Sequence, residues 1–400
     1  MVHESPEQTA RPPRAFVVAA LGTSQTLAWA SSYYLPAILA GPIAVTLEVP
    51  PSLPFAAFSV ALLIAALIGP AVGRLIDRRG GRDVLAASNL VFASGLAALA
   101  ASQGPTSLFL AWAALGVGMA LGLYDAGFAA LAGLYGRDAR GPITGITLFA
   151  GFASTVSWPV TAALAQNFGW RAACLAWAVV NLAIALPLNL SLPRSVRSRA
   201  ARRHATSVVG WRPYREMFLL AFVFSAAWFV TGSMAAHLPE LLMRAGSGAQ
   251  AAIAAAALVG PAQVAARLVE FLLLRRIHPL VSAMVASTLH PLGAAALAVM
   301  GPASAPLFVI LYGAGNGLLT IARGTVPLAL FGPRGYGERT GLLSAPARAA
   351  QALAPFLFGL LLDRMGADVI SVTSALCLMA FAALAYLRFR PPARPVEAAP

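Results

Sequence analysis

The sequence predicts an all-α membrane protein of twelve transmembrane helices, arranged as two pseudo-symmetric six-helix bundles. Three observations carry that prediction. The 400-residue chain has a mean hydropathy of +0.76 and only 10% charged residues, too apolar for a water-soluble domain. Its apolar residues come in blocks of about 18–29, enough to cross a ~30 Å hydrocarbon core at 1.5 Å per residue. The two halves of the chain also echo each other at a fixed offset.

The blocks fall near 15–40, 55–76, 84–101, 107–135, 143–166, 171–192, 217–238, 250–274, 280–300, 305–331, 340–362 and 368–388. All 28 basic residues are arginine. With a cytoplasmic N-terminus, about 22 of them fall in cytoplasmic segments, and the outer loops hold only Arg171, Arg244 and Arg364. That asymmetry obeys the positive-inside rule. It predicts a multi-pass protein of a bacterial inner membrane with both termini cytoplasmic. The expected organisation is a tail (1–14), a first bundle (15–192), a linker (193–216), a second bundle (217–388) and a tail (389–400). The polar, proline-broken start "MVHESPEQTARPPR" lacks a signal-peptide layout and is expected to stay attached.

The net charge of +14 would point to nucleic acid in a soluble chain. Here the arginines lie between apolar blocks, so the partner is the bilayer and no nucleic acid is expected. The run in "SLPRSVRSRAARRHATSVVGWRPYREM" (Ser191–Met217) reads as a topogenic linker near anionic lipid. Cys174 and Cys377 lie in separate apolar blocks with no metal-ligand spacing, which argues against a disulfide framework or a metal site. No GxxxxGK[ST] loop is present for ATP, and "HLPE" lacks the second histidine of a zinc-protease motif. No enzyme and no cofactor are expected. A membrane sensor would need an output domain that the sequence does not show.

The first span contains "LGTSQTLAWASSYYLP" (Leu21–Pro36), polar enough to object to lipid on every side. At 100° per residue Gln25, Trp29, Ser32 and Pro36 form one stripe, with Gly22 and Tyr33 beside it. Thr23, Ser24, Ser31 and Tyr34 fall off it and are expected to bond back to the helix or pack on neighbours.

Between the second and third spans lies "GRLIDRRGGRDVL" (Gly73–Leu85). It resembles the loop signature of the major facilitator superfamily at Gly73, Asp77, Arg78, Gly80 and Arg82, with Asp83 departing from the usual basic residue. The glycines allow a tight turn, and Asp77 can sit against a helix N-terminus or an arginine. The resemblance implies the twelve-helix major facilitator fold, rocker-switch transport of a small molecule or ion, and a conformational latch at this loop. It also implies that the first span lines the central cavity, which makes Gln25, Ser32 and Tyr33 candidate substrate contacts. A degraded copy, "GPAQVAARLVE" (Gly260–Glu270), faces "GPAVGRLID" in the first half.

The fourth and fifth spans show the repeat best. "TGITLFAGFASTVSWP" (Thr144–Pro159) pairs with "TGLLSAPARAAQALAP" (Thr340–Pro355), and "LGVG" (Leu115–Gly118) with "YGAG" (Tyr312–Gly315), at an offset of about 196–197. Two parallel six-helix repeats around a midplane site describe a secondary transporter, taken to work as a monomer. The drug/proton antiporter motifs of helices four and five are missing. "LYGRDARGPITG" and "FGWR" resemble the monocarboxylate and oxalate–formate branch. "YY", "LYDAGFAAL", "ITLFAGFASTVSWP" and "GPAQVAARL" look most like arsenite-efflux carriers of the ArsK type. The resemblance thus implies proton-coupled efflux of trivalent arsenic or antimony, with a mono- or dicarboxylate as the alternative. In this superfamily helices six and twelve usually lie on the outside of each half, which would place both cysteines away from a substrate.

Ionisable residues inside spans are costly and mark function by default. Asp125 lies in the fourth span, Arg267 and Glu270 in the eighth, Arg323 in the tenth and Arg348 in the eleventh. Asp125 and the three arginines lie roughly 10–12 Å from the cytoplasmic end, as one layer. They read either as a binding and coupling layer, with arginines holding an anion and Asp125 or Glu270 carrying a proton, or as a salt-bridged gate. Arg267 and Glu270, three apart on one helix, fit the gate better. Arg348 resembles the basic residue that oxalate-type carriers place in helix eleven. His237, near a pore mouth, could titrate near neutral pH or simply be hydrogen-bonded at the interface.

Overall fold

In a computed structural model of the chain, residues 12–194, 215–273 and 277–389 are described. Most of the expected terminal tails and linker lies outside them. The described residues are helical, with turns and no strands. In the first half, α1 (Arg14–Ala30) and α2 (Pro36–Thr46) form the first span, followed by α3 (Leu53–Arg79) and α4 (Gly81–Ala100). The fourth span is α5 (Pro105–Gly122) with α6 (Tyr124–Tyr135), and the fifth begins as α7 (Arg140–Gly151). Helical residues Ala153–Val180 (α8) are interrupted at Gly169 (φ 84°), where the fifth span ends and the sixth begins. A π-turn (Asn181–Ala185) and α9 (Leu186–Leu190) complete the half. The second half contains α10 (Arg215–Arg244), α11 (Ala249–Ala256), α12 (Val259–Leu272), α13 (Pro279–Met300), α14 (Ala305–Phe331), α15 (Tyr336–Met365) and α16 (Val369–Phe389). Every expected apolar block is matched by helix.

Four blocks read as continuous helices are interrupted. The first unwinds over residues 31–35, where Ser31 and Ser32 hydroxyls turn back onto the Ala28 carbonyl. The 100° stripe therefore ends at Ala30. The fourth block breaks at Leu123, whose backbone is extended (φ −84°, ψ −172°) after the flexible Gly122. The fifth breaks at Phe152 and the eighth across residues 257–258. Prolines at the first or second position open α2, α3, α5 and α13, where a missing N–H costs nothing.

The chain divides into two compact units. The first holds residues 1–206 with 331–339, and the second holds 207–330 with 340–400. The first unit is cored by side chains such as Leu21, Phe92, Trp112 and Phe128, all buried. The second is cored by Leu241, Leu242, Phe308, Val309, Phe358 and Val369. The repeat noted in sequence has a packing reason. A Cβ on Gly116 would overlap the Ala61 carbonyl of α3, and one on Gly313 would overlap Ala262 and the Val259 carbonyl of α12. Each unit thus uses a glycine at the same repeat position to bring two backbones together.

Candidate functional site

In the first unit the polar residues of the first span face protein rather than lipid. Gln25 Nε2 donates to the Gly122 carbonyl at 2.6 Å. Gly122 ends α5, and the Ala126 N–H that would normally serve it goes to Leu123 O instead. Gln25 therefore caps a helix end created inside a span. Its Oε1 is buried without a hydrogen-bond partner. Ser32 is buried and its hydroxyl donates to Ala28 O at 2.6 Å, so it serves the backbone. Tyr33 is half-buried and joins a ring cluster: Trp29 at 5.0 Å and Phe58 at 5.4 Å, both edge-on. Trp29 also meets Tyr124, 4.9 Å away, at the start of α6. Asp125, half-buried, is the second residue of α6, where a carboxylate complements the exposed N–H groups of the first turn.

Ser31, expected to be a bystander, ends a buried chain of amides. Asn189 Nδ2 donates to Asn89 Oδ1 (2.7 Å), Asn89 Nδ2 to Asn181 Oδ1 (3.2 Å), and Asn181 Nδ2 to Ser31 Oγ (3.0 Å). This ladder joins α4, the sixth span and the break in the first span. Three asparagines inside apolar blocks were the sequence signal for it, but their partners lie 92 to 150 positions apart.

The loop signature also lies in the first unit. Asp77 accepts from the backbone N–H groups of Gly337 (3.2 Å) and Glu338 (3.0 Å), at the N-terminus of α15. Arg74 pairs with Glu338 at 3.4 Å across exposed side chains. Gly73 leaves no room for a side chain, since a Cβ there would overlap the Gly337 carbonyl. Gly80, at φ 90°, turns the chain from α3 into α4. Arg78 lies in the last turn of α3 and Arg82 in the first turn of α4.

The second unit collects the buried charges. Arg267, Arg323 and Arg348 are 6%, 6% and 7% exposed, and Glu270 is 2% exposed. Arg323, on α14, donates to Ser344 Oγ at 3.0 Å and stacks over Trp228 at 4.8 Å. Ser344 and Arg348 are one turn apart on α15 and share its face. Arg323 thus bonds α15 one helical turn from Arg348. Arg267 reaches Gln263 Oε1 at 3.4 Å, and Glu270 accepts from Ser282 Oγ at 3.0 Å. His237 joins α10 to α15 through the Pro355 carbonyl at 2.9 Å and lies 3.5 Å from Glu240. Glu240 in turn holds Arg244, which also pairs with Asp363.

Both cysteines are buried in protein, Cys174 at 0% and Cys377 at 7% exposure. The reason is that helix-packing interiors extend to the sixth and twelfth spans here, with α16 laid along α13. His290, on α13, stands alone as an ionisable residue in its apolar block. It is a buried titratable group (4% exposed) inside a span.

Comparisons with known proteins agree on the architecture. The sequence profile of the Major Facilitator Superfamily matches residues 21–320. The chain is 29% identical over 334 residues to an uncharacterized 38 kDa protein in the 23S RNA operon of Thermoproteus tenax, covering 82% of this chain and 84% of that one. Its fold is similar to that of the human organic anion transporter MFSD10 (TETRAN), with TM-score 0.73 and 16% identity over 94% of this chain and 100% of that one. It is similar likewise to the E. coli fucose:proton symporter FucP, with TM-score 0.71 and 13% identity over 94% and 98% of the two chains. A family profile spanning three quarters of the sequence, on an all-helical chain of this repeat structure, leads to one conclusion: the protein belongs to the major facilitator superfamily and is a membrane transporter of that type.

Proposed function

We propose that the protein is a secondary transporter of a small organic anion, of the mono- or dicarboxylate class, working by alternating access. The observation that carries this reading is the Arg323–Ser344–Arg348 arrangement. Two guanidiniums on adjoining helix faces, both almost fully buried, make a positive focus in a low-dielectric interior. Their planar forks suit bidentate capture of a carboxylate, and Trp228 fixes the plane of one of them. Asp125 and Glu270 are the proposed proton carriers. The Asp77 bonds to the start of α15, with Gly73, Arg78, Gly80 and Arg82 around them, form the proposed latch of one transport state. Arg267 with Glu270 is proposed as gating, and Gln25, Ser32 and His237 as supports of the helices around the path. The membrane is proposed to be the bacterial inner membrane, with both termini cytoplasmic and the monomer as the working unit.

The competing arsenite or antimonite efflux reading rests on sequence likeness. One experiment separates the two. The full chain, reconstituted in liposomes, is assayed for saturable movement of labelled oxalate and lactate, and cells lacking their own arsenite pump are assayed for arsenite accumulation. We expect carboxylate movement that falls at least tenfold in Arg348→Ala. No carboxylate movement above empty liposomes overturns the anion reading, and a drop in cellular arsenite then assigns the metalloid one.

A further inference from the structure

The second unit contains a small pocket between α10, α13, α14 and α16, and no arginine lines it. Its walls include Thr231, His290, Tyr312, Asn316 and Cys377, with Val230 among the apolar lining. From these residues we infer a binding site for a soft monovalent cation of the d10 class, Cu(I) or Ag(I), held by His290 Nδ1 and the Cys377 sulfur. The inference stands apart from the anion reading and uses none of its residues.

Hydrogen bonding fixes the state of the imidazole. His290 Nε2 lies 2.9 Å from Thr373 Oγ1, and that hydroxyl donates its one proton to the Ile370 carbonyl at 3.0 Å. Towards the ring the hydroxyl can therefore only accept, so Nε2 carries the hydrogen. In the neutral ring Nδ1 is then a bare lone pair. It is buried and takes no hydrogen-bond partner. A buried lone pair left unserved is costly unless something occupies it. The Thr373 bond is also the outer-shell contact that orients a metal-ligating histidine. Thr373 and Cys377 are one turn apart on α16, so the thiol shares the face that anchors the ring and lines the same pocket.

Charge selects the ion. Protonating Nδ1 would place a full positive charge among Phe308, Tyr312 and Val230, the ring-facing and lining groups of α14 and α10. The other groups known to face the pocket are Thr231, Asn316, Thr373 and Cys377, none of them acidic. A monovalent soft ion avoids that cost: Cys377 S–H loses its proton to bulk water as the S–metal bond forms, and thiolate plus M⁺ plus neutral imidazole sums to zero. A divalent ion would leave one uncompensated charge. No three His, Cys, Asp or Glu side chains converge among the described residues, which suits a two-coordinate ion rather than tetrahedral zinc.

The chain has two cysteines, so Cys174→Ser leaves Cys377 as the sole thiol. The purified full-length Cys174→Ser protein is titrated with Ag⁺, the bound ion is examined by X-ray absorption, and thermal unfolding is followed with and without Ag⁺. We expect one ion per chain, a shell of one sulfur and one nitrogen, and a raised unfolding temperature. Adding Cys377→Ser abolishes binding, and adding His290→Gln, which keeps a donor for Thr373, weakens it at least tenfold. Circular dichroism of each variant confirms that it is folded. No binding, a sulfur-only shell, or an affinity unchanged by His290→Gln overturns the inference.

Discussion

The two units share a repeat but not a chemistry. Among the described buried polar residues, those of the first unit are Ser, Thr, Asn and Gln, without a charge. Those of the second include Arg267, Glu270, Arg323 and Arg348. The scaffold glycines Gly116 and Gly313 do the same packing task in both. The difference teaches that helix packing and chemical load vary independently on this fold. Neutral amides can be satisfied by one another, as in the Asn189–Asn89–Asn181–Ser31 ladder, and then they tie helices together. Buried guanidiniums are far costlier to keep, and their concentration in one unit is the ground for the proposed anion site.

Substitutions can break that comparison. If charge in the second unit serves the solute, Arg323→Gln, which retains donors for Ser344, lowers carboxylate movement at least tenfold and leaves the unfolding temperature in detergent nearly unchanged. If amides in the first unit serve structure, Asn89→Leu does the reverse. It leaves the Asn181 Oδ1 without its donor and costs about 1–3 kcal/mol, read as a lowered unfolding temperature, with the affinity for carboxylate retained. The smallest effect sharpens the picture of the loop signature. Asp77→Asn weakens two bonds from N–H groups at a helix start by about 1 kcal/mol. Faster hydrogen exchange at Gly337 and Glu338 is the measurement, and unchanged exchange there would remove Asp77 from any latch.

Much of the fold was legible because a membrane turns hydropathy into length, and the positions of α3, α4, α13 and α14 follow from apolar blocks alone. The interruptions at residues 31–35 and at Leu123 were not, since they arise from hydroxyls bonding backwards and from a glutamine 97 positions away in sequence. For the same reason Gln25 was recognised as facing protein while its partner was not. Arg323 and Arg348 were singled out by cost of burial, but the bond from Arg323 to Ser344, one turn from Arg348, is a matter of helix phase between two spans. His290 and the asparagines were not legible because their partners lie far off in sequence, Thr373 83 positions from His290, and Asn89 92 and 100 positions from Asn181 and Asn189.

The π-turn at Asn181–Ala185 sets the rotational phase of the sixth span. Asn181 and Asn189 both bond Asn89, so they must point the same way, yet eight α-helical steps rotate a side chain by about 800°, some 80° past two full turns. Widening five of those residues to π geometry, at roughly 80° per residue, brings the total back near 720°. The extra residue thus acts as a shim. It makes the length of this span a fixed quantity, because removing one residue would turn everything after it away from α4.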